Sequence, residues 1–382
     1  MNDSIAFFAS KATPRTNLAR SLLTASLLAT VSFSAIADAP PAKPIAKPIA
    51  KPMAELTFLT WGEYIDEDIV KQFESEHGAK INFVYFESDE GREEILTTSG
   101  HESYDIILVD SVSIPFYNHL GWVTEFDQGK APNLKYVKLP TLAGLEGRDQ
   151  TCTPYAWGTT GIAYRGDLVS EPITTWKQIF APKPELKGKI LMLPSGDEVI
   201  GMALKSLGYS MSSGDKNELD EARALLLTQV PSVMGYSAVA VESDKSKLVT
   251  GEASAVITYS GDALKLQEYE PRIEYVLPDE GGAIWADFIC LSSKAKNSKL
   301  AHDFVNFINR PAQAEQNALF VYSGSPNTAA AKLLPEEFLN NPIIYPDQEI
   351  LARSELYQPL SLRAVKRHSS IMNELRQALE NN

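Results

Sequence analysis

"GGAIWADFICL", residues 281–291, is the stretch on which the reading of the fold turns. Ile284, Trp285, Phe288, Ile289 and Leu291 describe an apolar strand, yet Asp287 stands in it between an indole and a phenyl ring. An ionised carboxylate in such surroundings is costly unless it meets a positive charge or several hydrogen-bond donors. No Lys or Arg lies nearby in sequence, so Asp287 calls for a cation from elsewhere.

Outward from this strand, the chain alternates strand and helix signals, the pattern of parallel sheets covered by helices. "ELTFLTW" (55–61), "KINFVYF" (80–86), "YDIILVD" (104–110), "GKILMLP" (188–194) and "SAVITYS" (254–260) read as strands. "DEDIVKQFESEHG" (66–78) places Ile69, Val70 and Phe73 on one helical face and stops at Gly78. Helices are also expected at "REEILTT", from about 197 to 207 and at "GDALKLQEY". "AHDFVNFINRPAQA" (301–314) reads as a helix interrupted near Pro311. Such units, over roughly 325 residues, exceed one comfortable core, so two lobes are expected.

The 382 residues are 44% hydrophobic and 22% charged, which excludes disorder throughout and leaves room for two domains. Lys11, Arg15 and Arg20 precede an apolar stretch ending in Ala35-Ile36-Ala37. A basic region, an apolar core and a small-x-small site predict a signal peptide over 1–37, cleaved after Ala37. Residues 38–54, with a repeated Ala-Lys-Pro-Ile unit, read as an extended spacer. Taking the three basic and one acidic residues of 1–37 from totals of 35 and 49 leaves 32 against 48, a net charge of −16. That balance argues against nucleic acid and anionic membrane surfaces as partners.

Ligands of open α/β sheets gather beyond the carboxyl ends of the strands. The residues following the strands here are rich in aromatics and acids: Trp61 and Tyr64, Ser111, Ser195 to Glu198, and Tyr259 to Asp262. They include no glycine-rich phosphate loop, no nucleophile elbow and no paired histidines at metal-ligand spacing. No cofactor and no metal are expected.

"LTFLTWGEYI", "YDIILVDS", "PYAWGTTGIAY", "GDEVIGMALKSLGYS", "GGAIWADF" and "YSGSPNTAA" follow one another as in the periplasmic polyamine-binding proteins, the spermidine and putrescine receptors of ABC importers. The chain resembles that family from Glu55 to its end. The resemblance implies a two-lobed α/β periplasmic binding protein, type II-like, with a ligand cleft between discontinuous domains. Lobe one is expected over 55–160 and 287–330, and lobe two over 161–286 and 331–382. Carried over by position, the ligand-binding residues would be Trp61, Tyr64, Ser111 and Glu198 from the first half. From the second they would be Tyr259, Asp262, Trp285, Asp287, Tyr322 and Gln358. The family pattern is not met everywhere: Ser195 stands where an Asp is usual in spermidine receptors, Ser113 where a Tyr is, and Tyr259 where a Trp is. These departures bear on ligand length, while Glu198, Asp262 and Asp287, with Glu63 as a possible fourth acid, keep the site anionic.

Each residue also has a plainer reading. Glu198 could complete a capping box with Ser195, Asp262 could be a first-turn acid favoured by the helix dipole, and Trp285 and Tyr259 could be core aromatics. Cys152 and Cys290 are the two cysteines. The resemblance puts them on neighbouring crossing strands, where an exported protein would form a disulfide; two buried free thiols are the alternative. The function expected is a monomeric, non-enzymatic receptor presenting a di- or triamine to an inner-membrane permease. The alternative is a sensor reporting occupancy to a membrane-bound cyclic-di-GMP enzyme. A Cys152-dependent enzyme is the remote third reading.

Overall fold

The computed structural model describes residues 53–138, 151–241 and 245–382. The expected signal peptide, and the spacer up to residue 52, lie outside the described residues. Among the described residues eleven strands form the sheet: β1 (Ala54–Trp61), β2 (Ala79–Phe86), β3 (Ile106–Asp110), β4 (Val123–Thr124), β5 (Thr153–Arg165), β6 (Ile190–Met192), β7 (Val233–Tyr236), β8 (Ala255–Tyr259), β9 (Ile273–Val276), β10 (Ala283–Ser292) and β11 (Glu355–Leu356).

The main path runs β2-β1-β3-β10-β5-β8-β6-β7. At one end β1 is parallel to both β2 and β3, and at the other β6 is parallel to both β7 and β8. Between these parallel groups lie β10 and β5, antiparallel to each other and to their outer neighbours. The thirteen residues of β5 serve both sides. Trp157 belongs to a core with Phe58, Ile107, Phe288 and Phe304, whereas Ile162 and Tyr164 belong to a second with Trp176, Ile190 and Leu375. Two cores joined by two crossing strands make the fold a two-lobed α/β architecture. The chain beyond 331 is divided between them: Leu351 and Leu356 pack on the first core, and Ile371, Met372 and Leu375 on the second.

Local chemistry explains the elements. The helix Glu67–His77 starts where Asp66 accepts a hydrogen bond from the Asp68 amide at 2.8 Å, and it ends at Gly78, whose φ of 57° suits a residue without Cβ. Its buried Ile69 and Phe73 face the first core. The expected single helix around Pro311 is instead two, Ser298–Ile308 and Pro311–Val321. Pro311 opens the second, because the first helical position needs no amide donor and favours the fixed φ of proline.

Cys152 and Cys290 form a disulfide, with Cα atoms 4.4 Å apart. The bond ties the start of β5 to β10, and it leaves Cys152 without the thiol that a nucleophilic role requires. The bridged residues are 138 apart in sequence, so the bond removes much freedom from the unfolded chain. Reduction, or Cys152→Ser with Cys290→Ser, is expected to lower unfolding free energy by about 2–5 kcal/mol. Urea titration of oxidised and reduced protein checks this, and coincident midpoints would contradict it.

Candidate ligand-binding cleft

β10 carries Asp287 between the cores. The residue pairs with Asp110 of β3 on one side and Ala156 of β5 on the other, at a register shift between Asp287 and Phe288. The side chain is 9% exposed. Its donor is Tyr64, whose hydroxyl reaches Oδ2 at 2.8 Å. Tyr64 is itself held in place: its carbonyl accepts from the Tyr155 hydroxyl at 2.7 Å, the two rings meet edge to face at 5.6 Å, and Asn317 donates to the Tyr155 hydroxyl at 2.9 Å. Trp61, at the end of β1, packs on Phe86 with ring centroids 4.3 Å apart. Glu63 between them holds a φ of 52°, a left-handed conformation that costs a residue with a side chain and tends to collect at functional sites.

The second group belongs to the other core. Tyr259 ends β8 and donates to both Glu198 oxygens, at 3.0 and 3.2 Å. The capping box is therefore half made. Ser195 caps the helix Gly196–Ser206 by accepting from the Glu198 amide, but the Glu198 carboxylate turns to Tyr259. Asp262 lies in the first turn of the helix Ser260–Tyr269, 3.5 Å from the Thr258 hydroxyl. Trp285 meets Tyr259 edge to face at 6.3 Å and lies against Gly158, where an added Cβ would come within 2.4 Å of the indole. Its Nε1 is buried with no hydrogen-bond partner among the described residues.

Ser111 is buried and donates its amide to the Ala286 carbonyl at 3.0 Å, which fixes the β3 exit to β10. Two expected residues stand apart. Tyr322 directs its hydroxyl to Glu268 and its ring packs with Leu264 and Ile344. Gln358 is exposed, its amide nitrogen donating to the Leu356 carbonyl at 3.3 Å.

Sequence reasoning missed the cation beside the cleft. Arg92 is 1% exposed and donates to Asp89 at 2.7 Å, Asp110 at 2.5 Å, Ser113 Oγ at 3.1 Å and the Tyr117 hydroxyl at 3.0 Å. Its guanidinium lies over the Phe86 and Tyr117 rings. Burial raises the Asp110 carboxyl, but Arg92 outweighs it and holds the group below its usual range.

Asp287, Glu198 and Asp262 make no ion pair among the described residues. Burial pushes Asp287 up to about 7 despite the Tyr64 hydrogen bond, Glu198 up to about 8 despite Tyr259, and Asp262 up to about 6 despite Lys265 and Thr258. Asp89 adds repulsion at both Asp287 and Glu198. Glu198 and Asp262 are half-buried, so Asp287, almost wholly enclosed, carries the electrostatic argument. The arrangement comprises acids from both lobes beside flat aromatic faces, short of positive charge. Such a constellation suits a cationic ligand.

Residues 68–346 match the model of the bacterial extracellular solute-binding proteins. The chain belongs to this family. The Escherichia coli spermidine/putrescine-binding periplasmic protein is 30% identical over 302 residues, 78% of this solute-binding protein and 85% of that relative. A norspermidine sensor of Vibrio cholerae is 25% identical, over 84% of this chain and 88% of its own. A solved structure assigned to a spermidine/putrescine ABC transporter of Listeria monocytogenes superposes with a TM-score of 0.76 at 31% identity, over 84% of this chain and 98% of that one. Like the Escherichia coli relative, this solute-binding protein is periplasmic.

The raised carboxyls set the sign of a pH effect. Between the unfolded value near 4 and the folded value of about 7, Asp287 holds more proton in the folded state, so stability is greatest below that window and falls as pH rises through it. For ligand-free protein this loss is expected to reach up to about 4 kcal/mol for Asp287 alone. Asp287→Asn should flatten the decline. Chemical denaturation at pH 4.5, 6 and 8 measures it, and a stability that rises across the same range, with Asn and Asp proteins parallel, would contradict the assignment.

Proposed function

We propose that this solute-binding protein captures a polyamine, a di- or triamine, and presents it to an ABC-type importer in the inner membrane. The observation that carries the reading is that Asp287, Glu198 and Asp262, which make no ion pair among the described residues, stand with Tyr64, Tyr259 and Trp285. An alkyl amine chain supplies ammonium groups separated by methylenes, which suits carboxylates separated by aromatic faces. Cation–π attraction contributes ~0.5–2 kcal/mol where an ammonium lies over a ring, and each charge-assisted hydrogen bond ~1.5–3 kcal/mol. The relatives named for spermidine and putrescine support the same ligand class. In this reading Asp287 and Tyr64 serve from lobe one, and Glu198, Tyr259 and Asp262 from lobe two; Ser111 acts by positioning. Tyr322 and Gln358 would join only after a change from the arrangement described. The protein acts as a receptor and not as an enzyme.

A sensor is the second reading, favoured by the likeness to the norspermidine sensor. Genes for a permease and ATPase beside the coding sequence would support transport, and a gene for a membrane-bound cyclic-di-GMP enzyme would support sensing.

Calorimetry with putrescine, cadaverine, spermidine, norspermidine and spermine tests the ligand class, and at least one is expected to bind in the micromolar range or tighter. Asp287→Asn should weaken the best ligand by roughly 30- to several-thousand-fold, the ~2–5 kcal/mol lost when one partner of a desolvated charge pair is removed. Unchanged affinity in the variant, or no heat from any polyamine with the wild-type protein, would overturn the reading.

A further inference from the structure

Arg92 is the buried cation that the proposed amine site leaves unused. It lies one residue pair from the ligand acids: Asp110, which it contacts, is the direct cross-strand partner of Asp287. Antiparallel partners stand about 5 Å apart, a distance that a short methylene spacer between two ammonium groups covers. The acid on Arg92's other side, Asp89, accepts from the guanidinium at 2.7 Å and is 55% exposed at its side chain; its charge also repels Asp287 and Glu198. Without Arg92, Asp89, Asp110 and Asp287 would make a second cation site continuous with the first. With it, the planar fork donates to Asp89, Asp110, Ser113 and the Tyr117 hydroxyl, and its central carbon lies 5.4 Å from the Phe86 ring centroid. Five donors in a rigid fork meet this geometry in a way that a lysine ammonium does not.

We infer that Arg92 is a built-in cation occupying the position of a third ammonium group, so that the cleft selects a diamine over a triamine. The inference rests on the polyamine reading and deepens it by assigning chain length. Ser113 takes part as a hydrogen-bond acceptor for Arg92, which ties the two residues into one specificity device on the lobe-one wall.

The experiment compares putrescine and spermidine binding by calorimetry in wild-type protein, Arg92→Gln and Arg92→Lys. Wild type is expected to bind the diamine at least tenfold more tightly. Arg92→Gln, which frees Asp89 and Asp110 of their charge partner, should move the putrescine-to-spermidine affinity ratio at least tenfold toward the triamine. Arg92→Lys keeps the charge but loses the fork, so it should move the ratio less than Arg92→Gln does; it also separates loss of charge from loss of packing should the Gln variant be less stable. A purely structural Arg92 predicts that both ligands weaken together. An unchanged ratio in Arg92→Gln, or a wild-type preference for spermidine, overturns the inference while leaving polyamine binding intact. Failure of wild-type protein to bind either amine would instead overturn the reading beneath it.

Discussion

An almost enclosed carboxylate with one neutral donor is the constraint around which the cleft is arranged. Among the described residues Asp287 takes a hydrogen bond from Tyr64, and burial outweighs both that bond and the charge of Arg92, keeping the carboxyl up to about 7. Its strand neighbour Asp110 has the opposite fate, because Arg92 sits against it and holds it ionised. Two aspartates on paired strands, one compensated from within the protein and one not, divide structural from ligand-directed charge. Burying an unpaired charge is unfavourable in any fold; in the proposed function a bound cation relieves that imbalance.

The crossing strands turn that local imbalance into a coupling between lobes. β10 and β5 each contribute to both cores, so Asp287, Trp285 and Gly158 stand where the two halves meet. Glu198 and Asp262 approach from the second core, and acids on the first repel Glu198. In the proposed function, a cation between the groups would replace repulsion by attraction on both walls at once and so favour whichever arrangement brings the walls together. The disulfide pins the start of β5 to β10 within the first lobe, beside the point where the strands cross.

Much of the fold is legible in the sequence because period and caps agree. The helix after Asp66 has its cap, its apolar face and its terminal glycine in order, and the strands named from 55 to 110 and from 188 to 260 fall within a few residues of their places. Pro311 shows the limit: the residue marks a break, but only tertiary packing shows that a second helix begins there. Of the site, Asp287 announces itself as a polar residue inside an apolar strand. Glu198 does not, since Ser195-x-x-Glu198 satisfies a local motif equally well and only the contact with Tyr259 separates the two roles. Arg92 is the least visible. "SDEGREE" reads as a solvated helix face, and the burial of its arginine depends on Phe86, Asp110 and Tyr117, which the fold alone brings to it. Tyr322 and Gln358 show a related limit: their positions along the chain do not foretell that their side chains turn to Glu268 and to the Leu356 carbonyl.

The most direct test of the central claim is a titration of the Asp287 carboxyl itself, followed by carbon-detected NMR on selectively labelled protein with and without saturating putrescine. The account predicts a ligand-free midpoint near the value of about 7 that drops by at least two pH units when the amine is bound, since an adjacent ammonium favours the ionised form. A ligand-free midpoint in the ordinary aspartate range that does not move on saturation would contradict it.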